Sequence, residues 1–386
     1  MKKIVFLTGT RADYGKIKSL MKACEASPDI ELYVFAIGMH LLEQYGRTLN
    51  DIINDGYKNV FYPHDYIHHS KMELNLAETI EMFSKYIESV KPDLIVVHGD
   101  RVEPLAGAIV GAMNNIKVAH IEGGEVTGTA DEFMRHAITK LSTIHFVSND
   151  EAKFRLLQLG EEAKSIYVIG SPDIDIMLSN NKEIDSVRKE YDIKFDEYAI
   201  LIYHPVTTST NLEYESDQVA RALIDSGENY IVIMPNDDHG CEIIRSVWSK
   251  FENNEHFKIY DSISFEDFLE LLKCSKFIVG NSSAGVREAC VYGVPAIDIG
   301  SRQEGRYRPK AIRNIQHCDE NIDDILNCIK KSNNYRYKSK YFGDGHSADL
   351  FLDAIKRIDN TGFQKHFVDT SETTGLIMNY INEVCF

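Results

Sequence analysis

The chain has 386 residues, 44% of them apolar and 26% charged, the balance of a soluble globular protein too long for one typical core and suggesting two domains. Its 42 basic against 59 acidic residues leave a net charge of −17, which argues against a surface built to neutralise many phosphates and makes nucleic acid a poor partner. Seven cysteines, odd in number, scattered and never spaced CxxC, argue against a disulfide framework or zinc site and fit a reducing cytoplasm; no apolar stretch approaches the roughly 18 residues of a membrane span.

Met1-Lys2-Lys3 followed by Ile4 to Leu7 is too brief for a signal peptide and reads as a first strand. From there short β-branched runs alternate with helical patterns, the signature of βαβ units and a parallel sheet. Strands are expected at 3–7, 31–37, 94–97, 117–121, 144–147 and 165–169, and helices at 16–26, 76–90, 103–113, 132–141 and 150–159. A polar stretch, 178–197, follows Gly170-Ser171-Pro172 and reads as the joint between domains. The alternation then restarts, with strands at 198–203, 230–234, 257–260, 276–279 and 296–299 and helices at 212–226, 240–251, 265–274, 286–292 and 321–330. The expected fold class is α/β: two Rossmann-like doubly wound domains facing across a cleft, residues 1–172 and 173–345, with a helical tail over 346–386.

In open parallel sheets ligands bind outside the carboxyl ends of the strands, so the residues there are the candidates. Thr8-Gly9-Thr10-Arg11-Ala12-Asp13-Tyr14-Gly15-Lys16 has neither P-loop nor G-x-G-x-x-G spacing and is left as a loop bearing Arg11 and Lys16. Arg11 can fork onto a diphosphate or carboxylate, or simply form a surface ion pair. Asp100 and Glu122 each fall just past a strand, and Asp131 at or near a helix N-terminus, where it is either an N-cap or a third acid at the same edge. Like charges in a dry cleft push pKa values apart and so create an acid and a base. Arg135 and His136 can balance that charge or pair within the helix. His204 ends a strand of the second half, as either a cleft residue or a structural histidine, and Arg302 closes the last one. His64, His68 and His69 lie in a loop without an HExxH pattern and are assigned no metal. Gly280-Asn281-Ser282-Ser283-Ala284-Gly285-Val286-Arg287-Glu288 places a Gly/Ser turn between a strand and a helix N-terminus, an anion cradle unless it is an ordinary connection.

Several stretches together resemble the hydrolysing UDP-sugar 2-epimerases: residues 9–16, Gly38-Met39-His40, 98–101, 121–125 with Thr127-Gly128-Thr129, 135–140, 170–173, His204-Pro205-Val206-Thr207-Thr208, 280–288 and Ser301-Arg302-Gln303. After about residue 310 only Phe342-Gly343-Asp344-Gly345 matches. The resemblance implies a GT-B type fold with UDP held mainly by the second domain. It implies a reaction in which UDP-N-acetylglucosamine and water give N-acetylmannosamine and UDP, for sialic acid synthesis, through a glycal-type intermediate, without metal or redox cofactor. Asp100, Glu122 and Asp131 fit the proton-transfer roles. Arg11, His204, Ser282 and Ser283 suit the diphosphate and Glu288 the ribose hydroxyls, with Lys16, Asn281, Gly285 and Arg302 also at the substrate. A homodimer or homotetramer is implied too. UDP-N,N'-diacetylbacillosamine is the alternative substrate, and a GT-B glycosyltransferase or a non-catalytic nucleotide-sugar sensor the rival classes.

Overall fold

The computed structural model describes residues 1–43, 46–126, 131–206, 209–235, 240–358 and 362–369. Thr127-Gly128-Thr129, Thr207, Thr208 and Cys385 lie outside the described residues. Its described residues divide into two compact units, one holding Met1–Glu125, 131–175 and those from Gly345 on, the other Val126 and Ile176–Asp344.

The first unit is built on a parallel sheet of β1 (Lys2–Thr8), β2 (Ile30–Ala36), β3 (Val60–Phe61), β4 (Leu94–His98), β5 (Lys117–Ile121), β6 (Ile144–Val147) and β7 (Ile166–Val168), in the order β3-β2-β1-β4-β5-β6-β7. Both faces of its central strands are buried, which is why Ile4–Leu7 and Leu94–Val97 read as unbroken apolar runs. Ile4, Phe6, Leu94 and Val96 pack with Ile17, Leu20 and Met21 of the helix Arg11–Ala26, while Val5, Leu7, Ile95 and Val97 pack with Phe83 and Ile87 of the helix Met72–Val90. Within the segment set apart as a tail by the sequence, the helix Ser347–Ile355 belongs to this core: its Phe351 lies 6.1 Å from the Phe6 ring and 4.7 Å from Phe146. Its apolar face has the sheet to cover.

The second unit repeats the plan with β8 (Ala199–Ile202), β9 (Tyr230–Ile233), β10 (Phe257–Tyr260), β11 (Ile278–Gly280), β12 (Ala296–Ile299) and β13 (Ile315–Cys318), all parallel, in the order β10-β9-β8-β11-β12-β13. Both sheets are therefore doubly wound, with order reversing between β1 and β4 in one and between β8 and β11 in the other. The polar stretch read as a joint contains the helix Ile184–Glu190 and the end of the helix Asp173–Ser179. The helix expected at 286–292 comes as two pieces, Ser283–Val286 and Glu288–Tyr292, with the break at Arg287.

Candidate active site

Past the end of β1 the chain enters a helix sooner than the glycines of that stretch suggest. Thr10 is the N-cap: its hydroxyl accepts from Asp13 N at 3.2 Å and the Asp13 carboxylate accepts from Thr10 N at 3.3 Å, so Arg11, Gly15 and Lys16 are helical rather than looped. Asp13 also accepts from the Thr8 hydroxyl and, at 3.0 Å, from Gly9 N. Thr8 Oγ1 is 3.0 Å from His40 Nε2, and His40 Nδ1 is 2.8 Å from Thr48 Oγ1. Burial pushes the His40 pKa down, which favours a neutral ring held between two hydroxyls. Arg11 opens the helix with Nε 3.5 Å from Asp51, both side chains well exposed, which is the surface pairing its sequence left open.

Glu103, 4% exposed in the first turn of the helix Val102–Met113, occupies space that a side chain at position 9 or 38 would take. A Cβ on Gly9 would lie 2.6 Å from Glu103 Cγ, and one on Gly38 2.6 Å from its Oε1. Burial pushes this carboxyl up, against the pull of Arg101, whose Nε stands 3.6 Å from Oε2.

Asp100 and Glu122 follow adjacent strands, β4 and β5, paired up to His98 and Ile121. Arg135, 2% exposed, joins them: Nη2 donates to Asp100 Oδ2 and Nη1 to the Glu122 carbonyl at 2.7 Å. The Glu122 carboxylate takes Lys16 Nζ at 3.1 Å on one oxygen and lies 3.5 Å from His98 Nε2 with the other. Lys16, expected at the substrate, is thus placed against an acid. Glu122 has φ 67°, a left-handed backbone that costs a non-glycine residue on the order of 1–2 kcal/mol. Asp131 begins the helix Asp131–Leu141 that carries Arg135. Partial desolvation works against charge on Arg101, but Glu103, Asp13, Asp131 and Asp100 together outweigh it and raise its pKa, so these acids act on one neighbourhood. Behind them His120, pushed down to about 3 chiefly by burial, bridges Gly99 O at 2.8 Å and Thr139 Oγ1 at 3.0 Å.

In the second unit the corresponding edge is the switch between β8 and β11. Gly280 has φ 129°, and a Cβ there would lie 2.0 Å from the Ile202 carbonyl, so only glycine permits this approach. Asn281, fully buried, takes His204 N on Oδ1 at 2.7 Å and donates Nδ2 to His204 O at 2.8 Å, while its own carbonyl accepts from Arg302 Nη1 at 3.2 Å and Gln303 Nε2 at 2.8 Å. Its amide therefore positions His204 rather than presenting itself to a ligand. Burial, then Arg302, pushes His204 down to about 3, which keeps the ring neutral near pH 7. Ser282 caps the helix Ser283–Val286 by accepting from Ala284 N at 3.3 Å. A Cβ on Gly285 would lie 3.5 Å from Ala296 Cβ of β12, and Glu288 is a buried carboxylate in the following helical piece. Ser283 is the first residue of its helix, at the positive end of the backbone dipoles. Among the described residues no group of three His, Cys, Asp or Glu is placed to hold a metal ion, and no helix is long and apolar enough to cross a membrane.

Residues 22–356 match the family model described as UDP-N-acetylglucosamine 2-epimerase. The chain belongs to that family. The UDP-N-acetylglucosamine 2-epimerase of Neisseria meningitidis serogroup B is 41% identical over 376 residues, 96% of this chain and 99% of that one. The hydrolysing UDP-N,N'-diacetylbacillosamine 2-epimerase of Legionella pneumophila is 34% identical, over 93% of this chain and 96% of its own. Among solved structures, an epimerase of Methanocaldococcus jannaschii in complex with UDP-GlcNAc and UDP aligns with a TM-score of 0.78 at 22% identity, covering 92% of this chain and all of that one. A Neisseria meningitidis epimerase bound to UDP-GlcNAc aligns at 0.79 and 16% identity, over 92% of this chain and all of its own. At that identity these structures speak to the fold, which is α/β of GT-B type. Asp13, Glu103 and Asn281's clamp on His204 are what the sequence alone did not single out in this epimerase-family chain. Thr10-x-x-Asp13 was the available signal for the first, as a capping-box spacing; a lone Glu103 after Arg101 carried none.

Proposed function

We propose that the protein is a hydrolysing 2-epimerase that converts UDP-N-acetylglucosamine and water to N-acetylmannosamine and UDP, feeding sialic acid synthesis. The observation that carries this reading is the buried Arg135, which binds the Asp100 carboxylate and the Glu122 main chain and so ties together two acids just past neighbouring strands, with Asp131 on Arg135's own helix. The reaction needs proton transfer twice. First the C2 proton leaves to a base as the C1–O bond to the diphosphate breaks, its electron pair departing with UDP and leaving a C1=C2 double bond. Water then gives hydroxyl to C1 and a proton returns to C2 with inverted configuration. Asp100, Glu122 and Asp131 are the groups for these transfers. Ser282, Ser283, His204 and Arg302 are assigned to the diphosphate and Glu288 to the ribose. Such a clamp speeds the reaction only where it grips the departing diphosphate more tightly than the intact sugar nucleotide.

The experiment is incubation with UDP-N-acetylglucosamine alone. Equal amounts of N-acetylmannosamine and UDP are expected. UDP-N-acetylmannosamine as the product would place the protein with the non-hydrolysing epimerases, and turnover only on adding an acceptor would make it a transferase. Asp100→Asn, Glu122→Gln and Asp131→Asn are each expected to lower turnover strongly with milder effects on UDP binding, and Glu288→Gln to weaken UDP binding. A second substrate reading, UDP-N,N'-diacetylbacillosamine, is favoured by the Legionella relative and by a Campylobacter jejuni GDP/UDP-diacetylbacillosamine 2-epimerase 31% identical over 87% of this chain. Comparing kcat/KM for the two sugar nucleotides decides between them.

A further inference from the structure

The helix Asp131–Leu141 supplies Asp131 at its start and Arg135 in its second turn, and at its other end it is held by a residue more than two hundred positions away in sequence. Lys365 Nζ donates to Thr139 O at 3.1 Å and Ser142 O at 2.7 Å and meets Glu161 Oε2 at 2.5 Å. An ammonium has three N–H donors, and here each has an acceptor. The two carbonyls belong to the negative end of the helix, where a cation is favoured. Glu161, 1% exposed on its side chain, is shared: Lys140 of the same helix reaches it at 2.8 Å and His145 Nε2 of β6 at 2.9 Å. Burial works against its charge, but these partners outweigh it and hold the carboxyl well below the usual range. The contact continues inward, because Thr139 also meets His120, and His120 meets the carbonyl of Gly99 beside Asp100.

We propose that Lys365 is a positioning residue for the epimerase chemistry, its ammonium pinning the carboxyl end of the helix whose other end carries Asp131 and Arg135. This rests on the reading of Asp100, Glu122 and Asp131 as proton-transfer groups. Lys365 touches none of them and acts through the helix. Its loss lets the helix slide along its axis, and a shift of about 1 Å at reacting groups is worth on the order of 100-fold in rate.

The test compares the full-length protein with Lys365→Met, which keeps the apolar stem, and Lys365→Arg, which keeps the charge and the donors. The Met variant is expected to lose about tenfold or more in kcat with KM within about twofold, and Arg to recover most of it. Amide hydrogen exchange over residues 132–141 is expected to quicken in the Met variant and not in the Arg variant. A folded Met variant with unchanged kcat, a rise in KM alone, or unchanged exchange in that helix would overturn the proposal. Should Met fail to fold, Lys365→Gln, which keeps amide donors without the charge, is read by the same measures. If the unaltered protein turns over neither sugar nucleotide, the functional reading is what fails, and the exchange comparison still decides whether Lys365 holds the helix.

Discussion

Replacing Arg135 by Met tests the centre of the site. The guanidinium is 2% exposed and its partner Asp100 20%, so the change removes the Arg135 partner of a largely buried carboxylate and the donor to the Glu122 carbonyl. Breaking a buried pair costs about 3–5 kcal/mol, and the partial exposure of Asp100, which lets water take the place of one donor, puts this pair at the low end. Losing the Arg135 donor to the Glu122 carbonyl adds about 1 kcal/mol. A loss of roughly 4 kcal/mol corresponds to a fall in Tm of about 10 °C, read by calorimetry. Turnover, followed as UDP release, is expected to drop by about 100-fold, because both acids lose the group that fixes their separation. Arg135→Lys is expected to fall between, since a point ammonium cannot fork onto both partners. A Met variant with Tm within about 2 °C of the parent and turnover within about threefold would show that Arg135 does not hold the two acids in place.

Gly280→Ala is expected to destabilise the second unit by about 3 kcal/mol or more, since the added methyl meets the Ile202 carbonyl at 2.0 Å; denaturant unfolding checks it. Asn281→Ala removes the amide that accepts from the buried His204 N–H and donates to its C=O, for a loss of about 2–4 kcal/mol and weaker UDP binding by calorimetric titration. His120 and His204, both pushed down to about 3, stay neutral in the folded chain while the unfolded chain takes up protons below about pH 6.5. Stability is therefore expected to fall as pH drops from about 6.5 toward 3, and His204→Gln to flatten part of that slope in unfolding midpoints between pH 6 and 4.5.

The parallel sheets were legible because their central strands are apolar on both faces: Ile4–Leu7 or Leu94–Val97 fits little else in an alternating chain. β3 was missed because only Val60 and Phe61 pair with β2, and β13 because Ile315–Cys318 interleaves polar Gln316 and His317 with its apolar ends. Placing Asp100 and Glu122 past successive strands needed only the βα pattern, and the pairing of β4 with β5 supplies the adjacency. Partnership was a different matter. Asn281 in a Gly/Ser turn looks like a ligand group, yet a side-chain amide matches a main-chain N–H and C=O equally well, and the fold used it that way. Lys16 looks like an anion binder until the helix that begins at Arg11 turns it toward Glu122. Glu103 has meaning only beside the bare backbones of Gly9 and Gly38, which no local pattern reveals.

The left-handed backbone at Glu122 has an evolutionary corollary. Glycine adopts that conformation without strain, so at this one position the residue best for the backbone and the residue needed for the proposed proton transfer are different. A library of variants sorted only by resistance to heat would weigh the relaxed backbone of a glycine at 122 against the lost pair with Lys16, whereas one sorted by product formation would keep glutamate and its strain. Sequencing both pools would show which of the two pressures has held this residue in place.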